Sequence, residues 1–277
     1  MAKEAKTPKS KWVDSAREKT RLFFHQCTVW SPFLDGSTLS GWEKSIDGTA
    51  EIGHLPVLEW LHANRQRCTH WAMDGAAANG HLSVVKWLHA NRTEGCTDRA
   101  WNKASSNGHL SVVEWLHANR SSRNNARLAM DFAAEHGHLS VVEWLHANRT
   151  EGCSTRAMDL AAWNGHLSVV QWLHTNRTEG CSRYAMGNAA RHGHLSVVEW
   201  LHANCSQQGC PIWAMDGAMG GAAANGHLSV VEWLHANRTE GCTKQGMENA
   251  IKNGDLSMVQ WLHDNRFEDC CCKRPVL

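Results

Sequence analysis

Histidine and cysteine, two residue types that can bind metal ions, recur at fixed positions along this chain. Its 277 residues include 19 histidines and 11 cysteines. One set of histidines directly follows a glycine, a second set follows Trp-Leu, and most of the cysteines share a third position of the same pattern. The residues after glycine are His54, His81, His109, His138, His166, His194 and His227, and the cysteines are Cys68, Cys96, Cys153, Cys181, Cys210, Cys242 and Cys270. Such residues could ligate zinc or, for cysteine, form disulfides.

The spacing within each set argues against both kinds of chemistry. Equivalent positions in neighbouring repeats lie about 10 Å apart, given the distance at which helices pack. Two ligands of one zinc ion lie only about 4 Å apart, because each is roughly 2 Å from the metal. Bridged cysteines need Cα atoms about 4.4–6.8 Å apart. We therefore expect no metal site, histidine rings that pack and hydrogen-bond near the turns, and small, buried, free thiols.

The sequence also lacks the common catalytic motifs. It contains no phosphate-binding loop, no nucleophile elbow and no His-Glu-x-x-His segment. We interpret four recurring aspartates as residues that begin a helix, where the positive end of the helix dipole favours a carboxylate: Asp74, Asp131, Asp159 and Asp216. An active site needs unlike groups that converge, whereas this chain repeats like ones. The sequence therefore predicts no catalytic residue, no cofactor and no enzyme activity.

An internal repeat sets the positions of all these residues. Its turn glycines are Gly53, Gly80, Gly108, Gly137, Gly165, Gly193, Gly226 and Gly254, and subtraction gives spacings of 27, 28, 29, 28, 28, 33 and 28. Each glycine lies in a version of CT-x-x-AMD-x-AA-x-NGHLSVVEWLHANRTEG. In the longest repeat, four of the extra residues lie in AMDGAMGGAAANG, so they are expected to add about one turn to a helix without rotating its apolar side.

Each repeat is predicted to form two short helices. The first covers segments such as residues 156–164, ends at Asn-Gly, and begins after a residue suited to N-capping: Thr97, Ser154, Ser182 or Thr243. The second runs through LSVVEWLHAN, and one side of its helical wheel carries Leu82, Val84, Val85 and Leu88. Trp87 lies at the flank of this apolar side, placed to pack against the next repeat. Neither helix can bury its apolar side alone, so the repeats must stack.

The segment Leu160–His174, LAAWNGHLSVVQWLH, resembles the core of the ankyrin repeat, with its paired alanines, Gly-His turn and Val-Val helix. The resemblance covers residues 41–266 and implies an all-α, right-handed solenoid of about eight stacked helix-turn-helix repeats. The family's repeat is about 33 residues long, and the residues missing here fall at its projecting β-hairpin finger. We expect a tight turn through Arg-Thr-Glu-Gly instead. Residues 1–40 are predicted to be a basic tail and capping segment, and residues 267–277 a cysteine-rich tail.

The repeats differ from one another mainly in two short stretches. One lies two and three residues after the repeat cysteine, and the other immediately precedes Gly-His. In the ankyrin family these positions face the concave groove that binds partners, and Trp, Tyr and Arg are enriched at interface hot spots. The candidate partner-binding residues are Trp71, Arg99, Glu135, His136, Arg156, Trp163, Tyr184, Arg191, His192 and Trp213. Neutral variation at exposed positions is the alternative interpretation.

Charge and hydropathy limit the kinds of partner and location that the sequence favours. With 28 basic and 27 acidic residues the net charge is +1, which gives no electrostatic reason to expect nucleic acid or anionic membrane as a partner. We find no signal peptide and no apolar run of the roughly 18 residues that a membrane span needs. We expect a monomeric cytoplasmic or nuclear protein that acts as a protein-protein interaction module, a scaffold or adaptor. The alternatives are a passive structural spacer and nucleic-acid binding through the basic N-terminus (Lys3, Lys6, Lys9, Lys11).

Overall fold

The computed structural model describes residues 45–119, 126–182, 184–205, 212–237 and 244–265. The predicted terminal segments, residues 1–40 and 267–277, lie outside these ranges. Every regular element within them is an α-helix, as the sequence predicts, and none of these helices has both the length and the apolar character to cross a membrane.

The helices form eight consecutive hairpins, in which odd-numbered helices are the first and even-numbered helices the second member. In chain order they are α1 (Ile46–Ile52), α2 (Leu55–Ala63), α3 (His70–Ala78), α4 (Leu82–Asn91), α5 (Asp98–Ser106), α6 (Leu110–Asn119), α7 (Ala126–Glu135), α8 (Leu139–Asn148), α9 (Thr155–Trp163), α10 (Leu167–Asn176), α11 (Ala185–Arg191), α12 (Leu195–Cys205), α13 (Ile212–Ala224), α14 (Leu228–Asn237), α15 (Lys244–Asn253) and α16 (Leu256–Asp264). The 13-residue α13 carries the insertion of the longest repeat, so the inserted residues do lengthen a helix.

The chain divides into two compact units, residues 1–100 and 101–277. In the first unit, α1 packs against α3, and each helix packs against its hairpin partner. In the second unit, first helices pack against first helices, from α7 through α15, and second helices pack against second helices, from α6 through α14. Within each unit the hairpins are therefore stacked in the manner of a solenoid.

The core of each repeat is built from small residues on the first helix and branched residues on the second. In the second hairpin Ala76, Val84, Val85 and Leu88 are almost completely buried, whereas Leu82 is only half-buried. The alanines let neighbouring first helices approach closely, while the valines and leucine fill the space between the two layers. Stability thus comes from contacts between repeats, because a single hairpin leaves these side chains uncovered.

The first helices begin at the predicted caps. The hydroxyl oxygens of Thr97, Ser154 and Ser182 each accept a hydrogen bond of 3.2 Å from the backbone amide two residues further on. Thr69 caps α3 in the same way, at 3.1 Å. Thr243 lies outside the described residues.

Between hairpins, the Arg-Thr-Glu-Gly segment forms the tight turn that the sequence predicts. Its arginine and glutamate pair with each other in Arg92–Glu94 and Arg177–Glu179, both at 2.5 Å. The hydrogen bond from Arg177 lowers the pKa of Glu179 to about 2. The glycine that follows, Gly180, adopts a φ of +68°, which reverses the chain toward the next first helix. The side-chain pair and the glycine close the turn without a β-hairpin.

Candidate functional site

Buried aspartates join neighbouring repeats. The Asp131 side chain is only 3% exposed, and its two oxygens accept hydrogen bonds from the amide and the hydroxyl of Ser154 in the next repeat, at 2.8 and 2.6 Å. Equivalent bonds join Asp47 to Thr69 and Asp74 to Thr97, and the Ser182 amide donates to Asp159 at 2.7 Å.

The interpretation of these aspartates as helix-start residues is therefore wrong. Asp74 and Asp131 lie in the interior of α3 and α7, where the helix dipole offers little to a carboxylate. Each instead holds the residue that caps the first helix of the next repeat. The side chain of Asp216 lies outside the described residues, and its role stays a prediction.

The pairing between the aspartate and the capping residue of the next repeat can also be traced in the sequence. In two repeats Asn102 and Gly187 take the place of the aspartate. In both, the residue at the capping position of the next repeat, Ala126 or Pro211, has no hydroxyl group. Among the described residues, no group donates a hydrogen bond to the Asn102 amide oxygen. In these two repeats the aspartate and the hydroxyl residue are thus absent together.

These joints position the first row of candidate residues. The capping hydroxyl accepts its hydrogen bond from the backbone amide of Trp71, Arg99, Arg156 or Tyr184, depending on the repeat. Each of these four side chains therefore projects from a backbone segment fixed through the cap to the aspartate of the preceding repeat. All four are exposed, with Tyr184 at 56% and Trp71 at 47%. In the first unit, the Arg99 guanidinium lies over the Trp71 ring, 4.3 Å from its centroid.

The second row lies at the C-terminal ends of the first helices. Glu135, Trp163 and Arg191 are the last residues of α7, α9 and α11, and His136 and His192 directly follow α7 and α11. Trp163 is 37% exposed, and its ring lies 4.4 Å from that of His192 in the next repeat. The His192 Nδ1 is 2.9 Å from the Asn188 carbonyl oxygen, which fixes the imidazole beneath the indole.

Arg191 is exposed but its stem is supported. A Cβ atom added at Gly221 of α13 would come within 3.3 Å of the Arg191 Cβ and Nε atoms, so the arginine side chain lies along this glycine. A larger residue at 221 would displace the stem. Trp213 is in α13, but its side chain lies outside the described residues.

The two rows occupy one face of each first helix. Arg156 and Trp163 are seven residues apart, as are Tyr184 and Arg191, which places each pair about 10 Å apart along the axis and on the same side, because seven residues make nearly two turns. A middle row lies between them, at the variable position of AMD-x-AA, and its residues were not among the predicted ones. In the second unit, we name the combined surface the variable face; it consists of Leu128, Phe132 and Glu135 of α7, Arg156, Leu160 and Trp163 of α9, and Tyr184, Asn188 and Arg191 beside or within α11.

Histidines and tryptophans of the second helices form a separate ladder. The His146 ring meets the edge of Trp172 in the next repeat, with centroids 5.1 Å apart, and His174 meets Trp200 in the same way at 5.0 Å. The prediction that Trp87 packs against the next repeat needs correction, because its ring contacts His62 of the preceding one. These ring contacts hold neighbouring repeats together.

The turn histidines pack as predicted. A Cβ atom added at Gly137 would lie 2.6 Å from the His166 Nδ1, so the imidazole sits against the glycine of the repeat before. The same contact occurs at Gly53, Gly108, Gly165 and Gly193. The His166 ring also hydrogen-bonds the backbone of Glu135. Burial lowers the pKa values of His138, His166 and His194, which favours neutral rings at these turns.

Known proteins share this architecture. The sequence profile described as ankyrin repeats (many copies) matches residues 70–117, 128–174 and 221–263. Among solved structures, the ankyrin-repeat domain of human ASB11 is similar, with a TM-score of 0.52 and 18% sequence identity over 70% of this chain and 97% of that one. At this identity the likeness concerns the fold alone. No curated protein matches the sequence.

Proposed function

Because the chain belongs to the ankyrin-repeat family, whose members are generally protein-protein interaction modules, we propose that it is a non-catalytic scaffold or adaptor that binds a partner protein on its variable face. In the ankyrin family the corresponding positions face the groove that holds partners, which supports the choice of this face. The proposal places the protein in the cytoplasm or nucleus, where half-buried thiols stay reduced.

The exposure of aromatic residues on helices that are otherwise well packed carries the proposal. Trp163 and Tyr184 are 37% and 56% exposed on adjacent repeats, although the alanines beside them are completely buried. Leaving an indole in water forgoes the favourable free energy of its burial, about 25 cal/mol for each Å² of apolar area. A partner that covers these rings recovers that energy. Large aromatic residues fixed on rigid elements are typical of interface anchors.

The chemistry around the rings defines what the partner presents. Leu128, Phe132 and Leu160 extend the apolar strip across α7 and α9, and the exposed guanidinium groups of Arg156 and Arg191 lie at opposite ends of adjoining helices. We therefore propose a partner segment that carries apolar side chains along its centre and acidic groups beside them. A guanidinium group can bind a carboxylate through two parallel hydrogen bonds, which fixes orientation as well as adding affinity.

A passive spacer is the principal alternative function. A spacer requires the joints between repeats but has no use for exposed tryptophan or tyrosine, so substitutions on the variable face would leave its activity unchanged. Nucleic-acid binding through Lys3, Lys6, Lys9 and Lys11 is the other alternative, and these residues lie outside the described ranges. Deleting residues 1–40 would abolish that activity but leave binding at the variable face intact.

Partner capture with matched variants tests the proposal. The full chain, the Trp163→Ala, Arg191→Ala double variant and a Glu143→Ala, Glu199→Ala control are each used as bait in a cell extract, and bound proteins are identified by mass spectrometry. Glu143 and Glu199 are exposed on second helices, away from the variable face. We expect one or more proteins captured by parent and control to be lost from the double variant, with each substitution weakening binding by about 1–3 kcal/mol. Equal capture by all three baits would place the interface elsewhere.

A further inference from the structure

Each hairpin is flanked by two turn segments that meet at its open end. In the second hairpin, Cys68 precedes α3 and Arg92 follows α4, 24 residues later, and the Arg92 Nε donates a hydrogen bond to the Cys68 sulfur at 3.1 Å. The same guanidinium lies 3.4 Å from the Nδ1 of His62 in the preceding repeat. Arg177 repeats this arrangement with Cys153 and His146. An arginine is thus the usual neighbour of the repeat cysteine.

The sixth hairpin replaces this arginine by a cysteine. Cys205 ends α12 at the arginine position, again 24 residues after the repeat cysteine, which here is Cys181. The two thiols lie close enough to interact, and the Cys205 sulfur lies 4.0 Å from the Nδ1 of His174 in the preceding repeat. Cys205 therefore takes over both contacts of the missing guanidinium group. This pair was not predicted, because Cys205 does not belong to the repeat position of the other cysteines.

The environment of the pair makes its two thiols unequal. The interaction with Cys181 lowers the pKa of Cys205, and the same contact, together with burial, raises the pKa of Cys181. Burial raises the pKa of Cys68 and of Cys153 to about 11. At neutral pH Cys205 therefore has a larger share of thiolate, the nucleophilic form, than Cys68 and Cys153, which are protonated. Cys181 and Cys205 are both half-buried rather than fully enclosed, so small reagents can approach.

We propose that Cys181 and Cys205 form an oxidation site, at which a hydroperoxide converts the two thiols into a disulfide across the open end of the sixth hairpin. The Cys205 thiolate attacks hydrogen peroxide, breaking the O–O bond to give a sulfenic acid and hydroxide. The Cys181 sulfur then attacks the sulfenic sulfur, an S–S bond forms, and water leaves. In total the two thiols lose two electrons and two protons, and the peroxide becomes two molecules of water.

The site lies next to the variable face. Tyr184 follows Cys181 by three residues, and its amide is held by the Ser182 hydroxyl. A bond between Cys181 and Cys205 would fix the segment that carries Tyr184 to the end of α12. In a reducing compartment such disulfides are transient and serve as redox sensors. Oxidation is therefore expected to act locally, on the sixth repeat.

Mass spectrometry of the oxidised full chain tests the site. The reduced protein is treated with a small excess of hydrogen peroxide, free thiols are blocked with N-ethylmaleimide, and a non-reducing digest is searched for cross-linked peptides. We expect a Cys181–Cys205 linkage as the main product. Before oxidation, Cys205 should react with limiting iodoacetamide about ten- to a hundredfold faster than Cys68, since its larger thiolate fraction outweighs the lower nucleophilicity of a more acidic thiol.

Two variants test the roles of Cys205 and Cys181 separately. Cys205→Arg restores the arginine of the other repeats and should abolish the linkage while leaving the helical spectrum unchanged. Cys181→Ser removes the second thiol, so a sulfenic acid at Cys205 should persist and be trapped by dimedone. The proposal is overturned if Cys205 alkylates no faster than Cys68, if it pairs with a different cysteine, or if the Cys181→Ser protein yields no sulfenic acid at position 205.

Discussion

The Asp131 carboxylate accepts hydrogen bonds from both the amide and the hydroxyl of Ser154, at 2.8 and 2.6 Å. Ser154 in turn accepts a hydrogen bond from the Arg156 amide, so a buried charge in one repeat fixes an exposed side chain of the next. The Asp131–Ser154 joint therefore stabilises the stack and also fixes the position of a proposed binding residue.

Removing the joint should destabilise the stack. Asp131→Ala leaves the amide and hydroxyl of Ser154 without their acceptor, and we expect a loss of about 2–4 kcal/mol in the free energy of unfolding, since hydrogen bonds to charged groups contribute about 1.5–3 kcal/mol each and are not additive. A double-mutant cycle with Ser154→Ala, measured by urea denaturation, should give a coupling energy of about 1–3 kcal/mol. Glu143→Ala, an exposed acidic residue, should change stability by no more than about 0.5 kcal/mol. A coupling energy near zero would contradict the assigned role.

The turn glycines offer a matched pair of substitutions. Gly137 and Gly254 both have left-handed backbones, with φ of +79° and +70°, but a Cβ at Gly137 would strike the His166 ring, whereas one at Gly254 would meet nothing within 4 Å. Gly254→Ala should therefore cost about 1–2 kcal/mol, the backbone contribution alone. Gly137→Ala should cost at least about 1 kcal/mol more, because overpacking adds to the backbone strain. If the two variants lost the same stability in thermal denaturation, the His166 ring would be moving aside without cost.

Two tryptophans in neighbouring helices should respond in opposite ways. Trp172 is half-buried against His146, and Trp172→Ala should lower stability by about 2–3 kcal/mol, less than the 3–5 kcal/mol typical of a fully buried ring. Trp163→Ala, on the variable face, should cost less than about 1 kcal/mol while weakening partner binding. The free energies of unfolding of the two variants, together with a binding titration, test this prediction. A larger stability loss at Trp163 would make it a structural residue.

Acidification should weaken the turns. Burial lowers the pKa values of His138, His166 and His194 below 6.5, so these rings bind protons less readily in the folded than in the unfolded chain. Their contribution to stability is complete above the unfolded value and is lost as pH falls below it. We expect the Tm to drop between about pH 7.5 and pH 5.5, and His166→Gln to make that drop smaller. A Tm that rises on acidification, or an unchanged slope in the variant, would argue against this origin.

The repeat pattern was enough to predict the helices, their caps and the tight turns, because each depends on residues close in sequence. Ser154 is a cap wherever its helix begins, and Gly180 reverses the chain locally. The partners of side chains across the joint between repeats were harder to predict. Asp131 was placed at a helix start, since only the stacked structure shows that its carboxylate reaches a residue 23 positions later.

The candidate site was only partly predictable for the same reason. Variation between repeats identified Arg156 and Trp163, but the middle row, which includes Leu160, was overlooked although its position varies as well. Cys205 was missed because it belongs to the arginine position and was not compared with the repeat cysteines. Its proximity to Cys181 depends on how the two turns of one hairpin meet, and no spacing within the cysteine set contains that information.

The aspartate joints give the array an uneven cooperativity. Each joint couples nearest neighbours only, as in a one-dimensional Ising chain, so the free energy of unfolding is a sum of repeat and interface contributions. The interfaces after Asn102 and Gly187 have no aspartate-hydroxyl pair, so we expect both to lose that contribution to the sum. Heat should therefore divide the array at these two places first, releasing blocks of repeats that melt separately. The repeats between them, which carry Trp163 and Arg191, would unfold as one cooperative block.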